Sequence, residues 1–120
     1  MKLLLVILTL VTLSLTAVQP ALAQSGDGCT HDSATIGSLQ DCVQHAAQEG
    51  HIDNPGVTQN LLAKLEAAQA AVDRGQPAVA INILQAFIQE VQAQAGKHIV
   101  SEHAGHLVGH TQVVIQALSE

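Results

Sequence analysis

The sequence is poor in aromatic residues. It contains no tryptophan, no tyrosine and a single phenylalanine, Phe87. Aromatic rings supply the platforms on which sugars and unstacked nucleobases are usually bound. Their scarcity argues against a lectin and against a protein that binds single-stranded nucleic acid.

Basic residues are also scarce. Four Lys and Arg residues stand against ten Asp and Glu residues, so the formal net charge is −6 at pH 7. A chain with this charge repels the phosphate backbone of nucleic acids and the headgroups of anionic lipids. We therefore expect no nucleic-acid partner and no electrostatic docking on a membrane surface.

Recognisable enzyme signatures are absent. The sequence has no His-Glu-x-x-His, no Gly-x-Ser-x-Gly, no phosphate-binding glycine loop and no Cys-x-x-Cys-His haem attachment. Ser38 and Ser101 are interpreted as polar residues at helix starts, not as nucleophiles, and Asp27 and Asp32 lie in a segment expected to be mobile. The sequence thus predicts no catalytic residue and no enzymatic activity.

One long apolar run opens the chain. Lys2 is followed by a mainly apolar run to Val18, then by Pro20 and an Ala-Leu-Ala sequence that ends at Ala23. This order is typical of a secretory signal peptide, residues 1–23, cleaved between Ala23 and Gln24. The alternative is a membrane anchor, but the run is shorter than the roughly 20 apolar residues that a membrane span needs. We expect a secreted or periplasmic protein with no membrane span after cleavage.

The remaining 24–120 segment is expected to contain a flexible N-terminal part, 24–32, and one helical domain, 33–120. Loss of Lys2 changes the formal net charge from −6 to −7.

The two cysteines, Cys29 and Cys42, most simply form one disulfide in an exported chain, worth about 3 kcal/mol. It would attach the 24–32 segment to the first helix. The alternative is a redox pair, but the Cys-x-x-Cys spacing that such pairs favour is missing.

Apolar residues recur at three- and four-residue steps in four segments, about 33–49, 55–74, 77–95 and 101–118. Glycines follow the first three segments, Pro55 and Pro77 stand where first helical turns are expected, and Ser101 is predicted to cap the fourth helix. No segment shows the two-residue alternation of a strand. The predicted fold is all-α, a small antiparallel bundle of about four helices, with the second to fourth helices forming the main core.

Four stretches of this domain carry a family resemblance. They are residues 52–57 (IDNPGV), 61–68 (LLAKLEAA), 80–91 (AINILQAFIQEV) and 94–99 (QAGKHI). Together they resemble the FIMAH domain, a small helical module at the ends of bacterial secreted and cell-surface proteins. The resemblance covers about residues 50–118 and implies an accessory role without catalytic residues. The cysteine-bearing first helix is expected to be an addition to the module.

Histidine is the unusual component, with seven residues in the chain and four of them between positions 98 and 110. His106 and His110, spaced i,i+4, could bind one metal ion from a single helix face. His103 or His98 could complete the site, and so could His45 or His51 from elsewhere. Glu102 and Asp53 are candidate hydrogen-bond acceptors for the ligating rings. The sequence therefore allows a site for zinc, copper or nickel, although no cofactor is required.

Two other interpretations of the histidines stay open. Imidazole is amphipathic and suits the half-exposed border of a helix, where it needs no ligand. The seven rings could also sense pH, because imidazoles take up protons below a pH of about 6.5. The favoured function is an exported, non-catalytic interaction module with an unknown protein or cell-envelope partner. The alternative is an extracytoplasmic protein that binds transition metals.

Overall fold

A computed structural model describes residues 33–120, which form four helices joined by short connectors. The helices are α1 (Ile36–Gln48), α2 (Pro55–Asp73), α3 (Pro77–Gln94) and α4 (Ser101–Leu118). The predicted all-α bundle is confirmed. None of the helices in residues 33–120 is both long enough and apolar enough to cross a membrane. The predicted signal peptide, its cleavage site and the 24–32 segment lie outside the described residues.

Local sequence signals account for the starts of α1 and α2. The Thr35 hydroxyl accepts a hydrogen bond from the Ser38 backbone N–H at 3.2 Å. The Asn54 side chain accepts from the N–H groups of Gly56 and Val57, at 2.8 and 3.2 Å, and Pro55 follows as the first helical residue. These side chains satisfy N–H groups that have no partner within the helix.

The start of α4 differs from the prediction that Ser101 is its cap. Val100 occupies the cap position, no side chain caps the helix, and Ser101 is the first helical residue. The Val100 N–H donates to the carbonyl of His51 at 2.9 Å, and the Val100 carbonyl accepts from Ala104. The contact with a distant connector therefore holds Val100 outside the helical conformation, and α4 begins directly after it.

Glycines end the first three helices as predicted, and all three are left-handed. Gly50, Gly75 and Gly96 have φ angles of +81°, +72° and +76°. At Gly75 the backbone forms a Schellman motif, in which Gly75 N–H donates to Val72 and Gln76 N–H donates to Ala71, at 2.9 and 2.8 Å. A side chain would strain this conformation, so glycine sets the tight turn that makes α2 and α3 antiparallel neighbours.

The core lies between four helices arranged as a ring, with α1 beside α2, α2 beside α3, α3 beside α4 and α4 beside α1. Phe87 of α3 and Leu61 and Leu65 of α2 are fully buried. Leu39 and Val43 of α1 are equally buried. The expectation that α2 to α4 form the main core was therefore incomplete, because α1 closes the ring and seals its fourth side.

Two connectors, 49–54 and 95–100, meet at one end of the bundle. Ile52 and Ile99 pair in an antiparallel bridge, and both side chains are buried. The Asp53 N–H donates to the His98 carbonyl at 3.0 Å, next to the bond between Val100 and His51. We call this region, with the last turn of α1 and the first two turns of α4, the connector end (residues 45–54 and 95–106).

Candidate functional site

The connector end gathers histidines that are far apart in the sequence. The end of α1 and the start of α4 lie together because the two helices are antiparallel neighbours. The histidines that they and the connectors supply are His45, His51, His98, His103 and His106. Three of these were predicted ligands and the other two were named as candidates to complete a site.

Two of these rings are stacked. The ring centroids of His51 and His103 are 3.6 Å apart, and the ring planes differ by 18°. The ring of His106 stands edge-on to His103, with a centroid distance of 6.2 Å and an interplanar angle of 67°. His51 belongs to a connector and His103 to α4, so only the tertiary fold brings them into contact.

Carboxylates accompany the histidines. Glu49 places one oxygen 3.4 Å from His45 Nε2 and the other 3.7 Å from His51 Nε2. Asp53 Oδ1 lies 2.9 Å from His98 Nδ1, so Asp53 contacts a histidine as predicted, although the bond joins the two connectors. Glu102 is exposed in the first turn of α4. Exposed ion pairs of this kind contribute about 0–1 kcal/mol, so these contacts orient the rings more than they stabilise the fold.

His110 lies apart from the other predicted ligands. Its side chain is 2% exposed and faces α1. The Nε2 atom is 2.9 Å from Ser38 Oγ and 3.0 Å from the Ser33 carbonyl oxygen, while Nδ1 is 3.5 Å from Cys42 Sγ. Because a carbonyl oxygen only accepts, this geometry favours the tautomer that donates from Nε2 to Ser33.

The predicted His106–His110 pair is divided between the surface and the interior. His106 is exposed at the connector end, whereas His110 is buried one turn later against α1. His98 pairs with Asp53 on the connectors. Within residues 33–120, no group of three His, Cys, Asp or Glu side chains is arranged to hold a metal ion. Of the four predicted ligands, His103 and His106 thus lie together, whereas His98 and His110 contact other residues.

Cys42 is 1% exposed and packs in the seam between α1 and α4. Its predicted disulfide partner, Cys29, lies outside the described residues, so the Cys29–Cys42 pairing stays a prediction.

The spacing of residues along α4 predicts that His110 is buried. The interpretation of His110 as a metal ligand did not take this spacing into account. Leu107, His110 and Val114 follow one another at steps of three and four residues, and all three are buried. Such spacing places residues on one helix face. His110 therefore belongs to the apolar stripe of α4. His103, four residues before Leu107, lies on the same face but nearer the start of the helix, where it is half-buried, whereas His106 is exposed. The stacking partner His51 carries no comparable signal, because it lies in a connector.

A shallow depression marks the surface of the connector end. Its volume is about 170 Å³ and its lining includes both connectors. The polar side chains around it are His51, Asp53, Lys97 and His98. The side chains of His51 and His98 are 32% and 44% exposed, so solutes can reach both rings.

Comparison with known proteins identifies one family. The family model of the FIMAH domain matches residues 36–116. No curated protein and no solved structure matches the chain. The match begins at the first residue of α1, so the expectation that the first helix is an addition to the module was wrong. The resemblance recognised over residues 50–118 is confirmed and extends across all four helices.

Proposed function

Because the chain belongs to the FIMAH family, we propose that it is an exported, non-catalytic accessory module that binds a partner in the bacterial cell envelope or the surrounding medium. The observation that carries this proposal is the family match over residues 36–116, which spans the whole bundle. The FIMAH domain is associated with surface proteins. The apolar leader and the predicted disulfide support export.

The hydrogen bonding of the serine–histidine pair found within residues 33–120 supports a non-catalytic role. Ser38 Oγ and His110 Nε2 are 2.9 Å apart, a distance also found in hydrolase sites. However, the Ser38 hydroxyl directs its single proton to backbone carbonyl oxygens. Those of Ser33 and Thr35 lie 2.6 and 2.8 Å from Ser38 Oγ. The Nδ1 atom of His110 lies 3.5 Å from Cys42 Sγ, at the position that a catalytic triad gives to an orienting carboxylate. We infer that this pair ties α4 to the start of α1.

Retention on isolated cell envelopes tests the proposed function. The purified protein, labelled at its amino terminus, should bind envelopes saturably and be displaced by an excess of unlabelled protein. The control is an unrelated helical bundle of similar size and negative charge, which should be washed away. Retention that rises linearly with protein concentration, or that equals the control, would show that the envelope holds no specific partner.

Metal binding is the alternative function, and the stack of His51 on His103 is the observation that favours it. Two imidazoles from separate elements lie together there, with His106 and Glu49 beside them. Binding would require the stacked rings to turn so that their nitrogens converge on one ion.

Calorimetric titration with zinc, copper and nickel separates this alternative from the first proposal. Metal binding predicts a dissociation constant below tens of micromolar that weakens at least about tenfold in H51A/H103A. The matched control H98A should bind as the unchanged protein does. A dissociation constant above tens of micromolar would exclude a site at the stacked pair. Equal dissociation constants for the unchanged protein, H51A/H103A and H98A would exclude it as well.

A further inference from the structure

A second depression, of about 470 Å³, lies between the end of α1 and the start of α2. Most of the surface that lines it is apolar, and its volume falls within the roughly 300–1,000 Å³ of pockets that hold small ligands or side chains. We call it the α1–α2 groove. Its apolar lining includes Ala47, Ile52 and Pro55, and its polar lining is Asp53, Thr58 and Gln59.

Backbone hydrogen bonds hold the α1–α2 groove in shape. The N–H groups of His51 and Ile52 donate to the Ala46 carbonyl at 2.8 and 3.2 Å, which folds the first connector back on α1. The Asn54 side chain then caps α2 directly after the connector. Because the two walls are already in place, binding would order the partner and not the protein.

The charge around the groove is negative. Asp53 is the one charged residue of its lining, and the Asp53 side chain is 63% exposed. Glu49 precedes the lining residue Gly50 and is also exposed. Lys97, the one Lys or Arg of the connector end, lines the separate 170 Å³ depression on the other side of Asp53. A cationic group is therefore favoured at the edge of the α1–α2 groove.

Two occupants that the chain itself offers do not match this groove. The 24–32 segment (QSGDGCTHD) carries two carboxylates, no Lys or Arg and none of the larger aliphatic side chains. A second copy has the same formal net charge of −6, so two copies repel each other. Charge complementarity thus favours a basic segment of a different protein.

We propose that the α1–α2 groove binds a cationic peptide segment of another protein. An aliphatic side chain of that segment enters the groove, and a Lys or Arg side chain lies beside Asp53. This inference deepens the proposed function, and it rests on that function in placing the other protein in the cell envelope or the medium. Burial of the aliphatic side chain supplies most of the affinity, because an exposed ion pair contributes little. The negative edge selects which segments bind.

Calorimetric titration with a synthetic peptide tests the proposal at a pH of about 7.5 and low salt. The probe is a short acetylated peptide with Leu and Lys residues among Gly and Ser. It should bind with a dissociation constant of about 100 μM or tighter. A peptide with Ser in place of Leu should bind at least about tenfold more weakly, because it buries no aliphatic side chain. A peptide with Glu in place of Lys should lose binding as strongly, because like charges then meet at Asp53.

Substitutions at Asp53 test the charge. D53N should weaken binding of the Leu and Lys peptide about threefold at low salt, and high salt should remove the difference. The matched control is D73N, which removes one exposed carboxylate at the opposite end of α2. Its dissociation constant should stay within about twofold of that of the unchanged protein.

Substitutions of alanine test the groove itself. Ala47 is half-buried in the lining, so A47F should fill the groove and weaken binding at least about tenfold. The matched control is A67F, nine residues after Thr58 and thus on the opposite, exposed face of α2, which should bind as the unchanged protein does. Helical circular dichroism verifies that both variants fold, and D53N decides the question if A47F does not.

Four results would overturn the proposal. They are the absence of binding tighter than about 1 mM, equal affinity for the peptide with Ser in place of Leu, equal losses in D53N and D73N, and equal binding by A47F and A67F. Self-association of the protein at neutral pH that A47F abolishes would overturn it as well, because a second copy would then occupy the groove.

The two proposals can fail separately. Peptide binding that depends on the groove, without envelope retention, would sink the proposed function and leave the groove as a peptide site. Envelope retention that is the same in A47F and A67F, without peptide binding, would remove the groove alone.

Discussion

Replacement of Phe87 by alanine is expected to lower the free energy of unfolding by about 3 to 5 kcal/mol. Phe87 is the one aromatic ring of the chain outside histidine, and its side chain is 0% exposed in the middle of α3. Alanine would remove its apolar surface and leave a cavity that the surrounding helices fill only in part. A small domain is stabilised by about 5–15 kcal/mol in total, so this change should remove a large fraction of the stability.

Urea unfolding followed by helical circular dichroism measures this effect. The control is V79A on the same helix, whose side chain is 42% exposed and whose replacement should cost at most about 0.5 kcal/mol. F87L keeps most of the buried volume and should cost about 1 kcal/mol. Equal stabilities of F87A and V79A would show that Phe87 does not lie at the centre of the core.

Replacement of His110 by alanine is expected to lower the free energy of unfolding by about 2 to 4 kcal/mol. The ring is 2% exposed and fills the seam between α4 and α1. It also contacts Ser38 and Ser33, with Nε2 distances of 2.9 and 3.0 Å. The substitution thus creates a cavity and breaks the polar link that holds the start of α1 against α4.

The matched control is H106A, one helical turn earlier on an exposed part of the same helix. Its effect on stability should stay within about 0.5 kcal/mol. Thermal and urea unfolding of the two variants at neutral pH give the comparison directly. If both substitutions cost the same, the division of this histidine pair between surface and core would be wrong.

Most of the helical architecture was predictable because its signals are local. The left-handed glycines at positions 50, 75 and 96 follow apolar repeats, and Asn54-Pro55 begins α2 as an N-cap followed by a first-turn proline. Each signal acts within a few residues of its position. Two helix starts differ from the prediction. The first helix begins at Ile36, three residues later than expected, and the cap of α4 is Val100, where a hydrogen bond to the distant His51 decides the boundary. Sequence spacing does not record such a contact.

The candidate site was less predictable, because helical periodicity gives the face of one helix and not its neighbours. The i,i+4 spacing of His106 and His110 predicts two rings on one side of α4. The packing of α1 against α4 buries one ring and leaves the other in solvent. The contact between His51 and His103 joins residues 52 positions apart, so no local pattern predicts it.

The order of residues along the chain was sufficient to establish an acidic four-helix bundle of the FIMAH family with few aromatic residues. Helix formation, helix ends and net charge depend on composition and on neighbours within a few positions. The tertiary structure alone decided that α1 completes the core, that His110 is a buried contact, and that five histidines share the connector end. These features arise when antiparallel packing places the end of α1 beside the start of α4, which distributes charge in space in a way that composition does not specify.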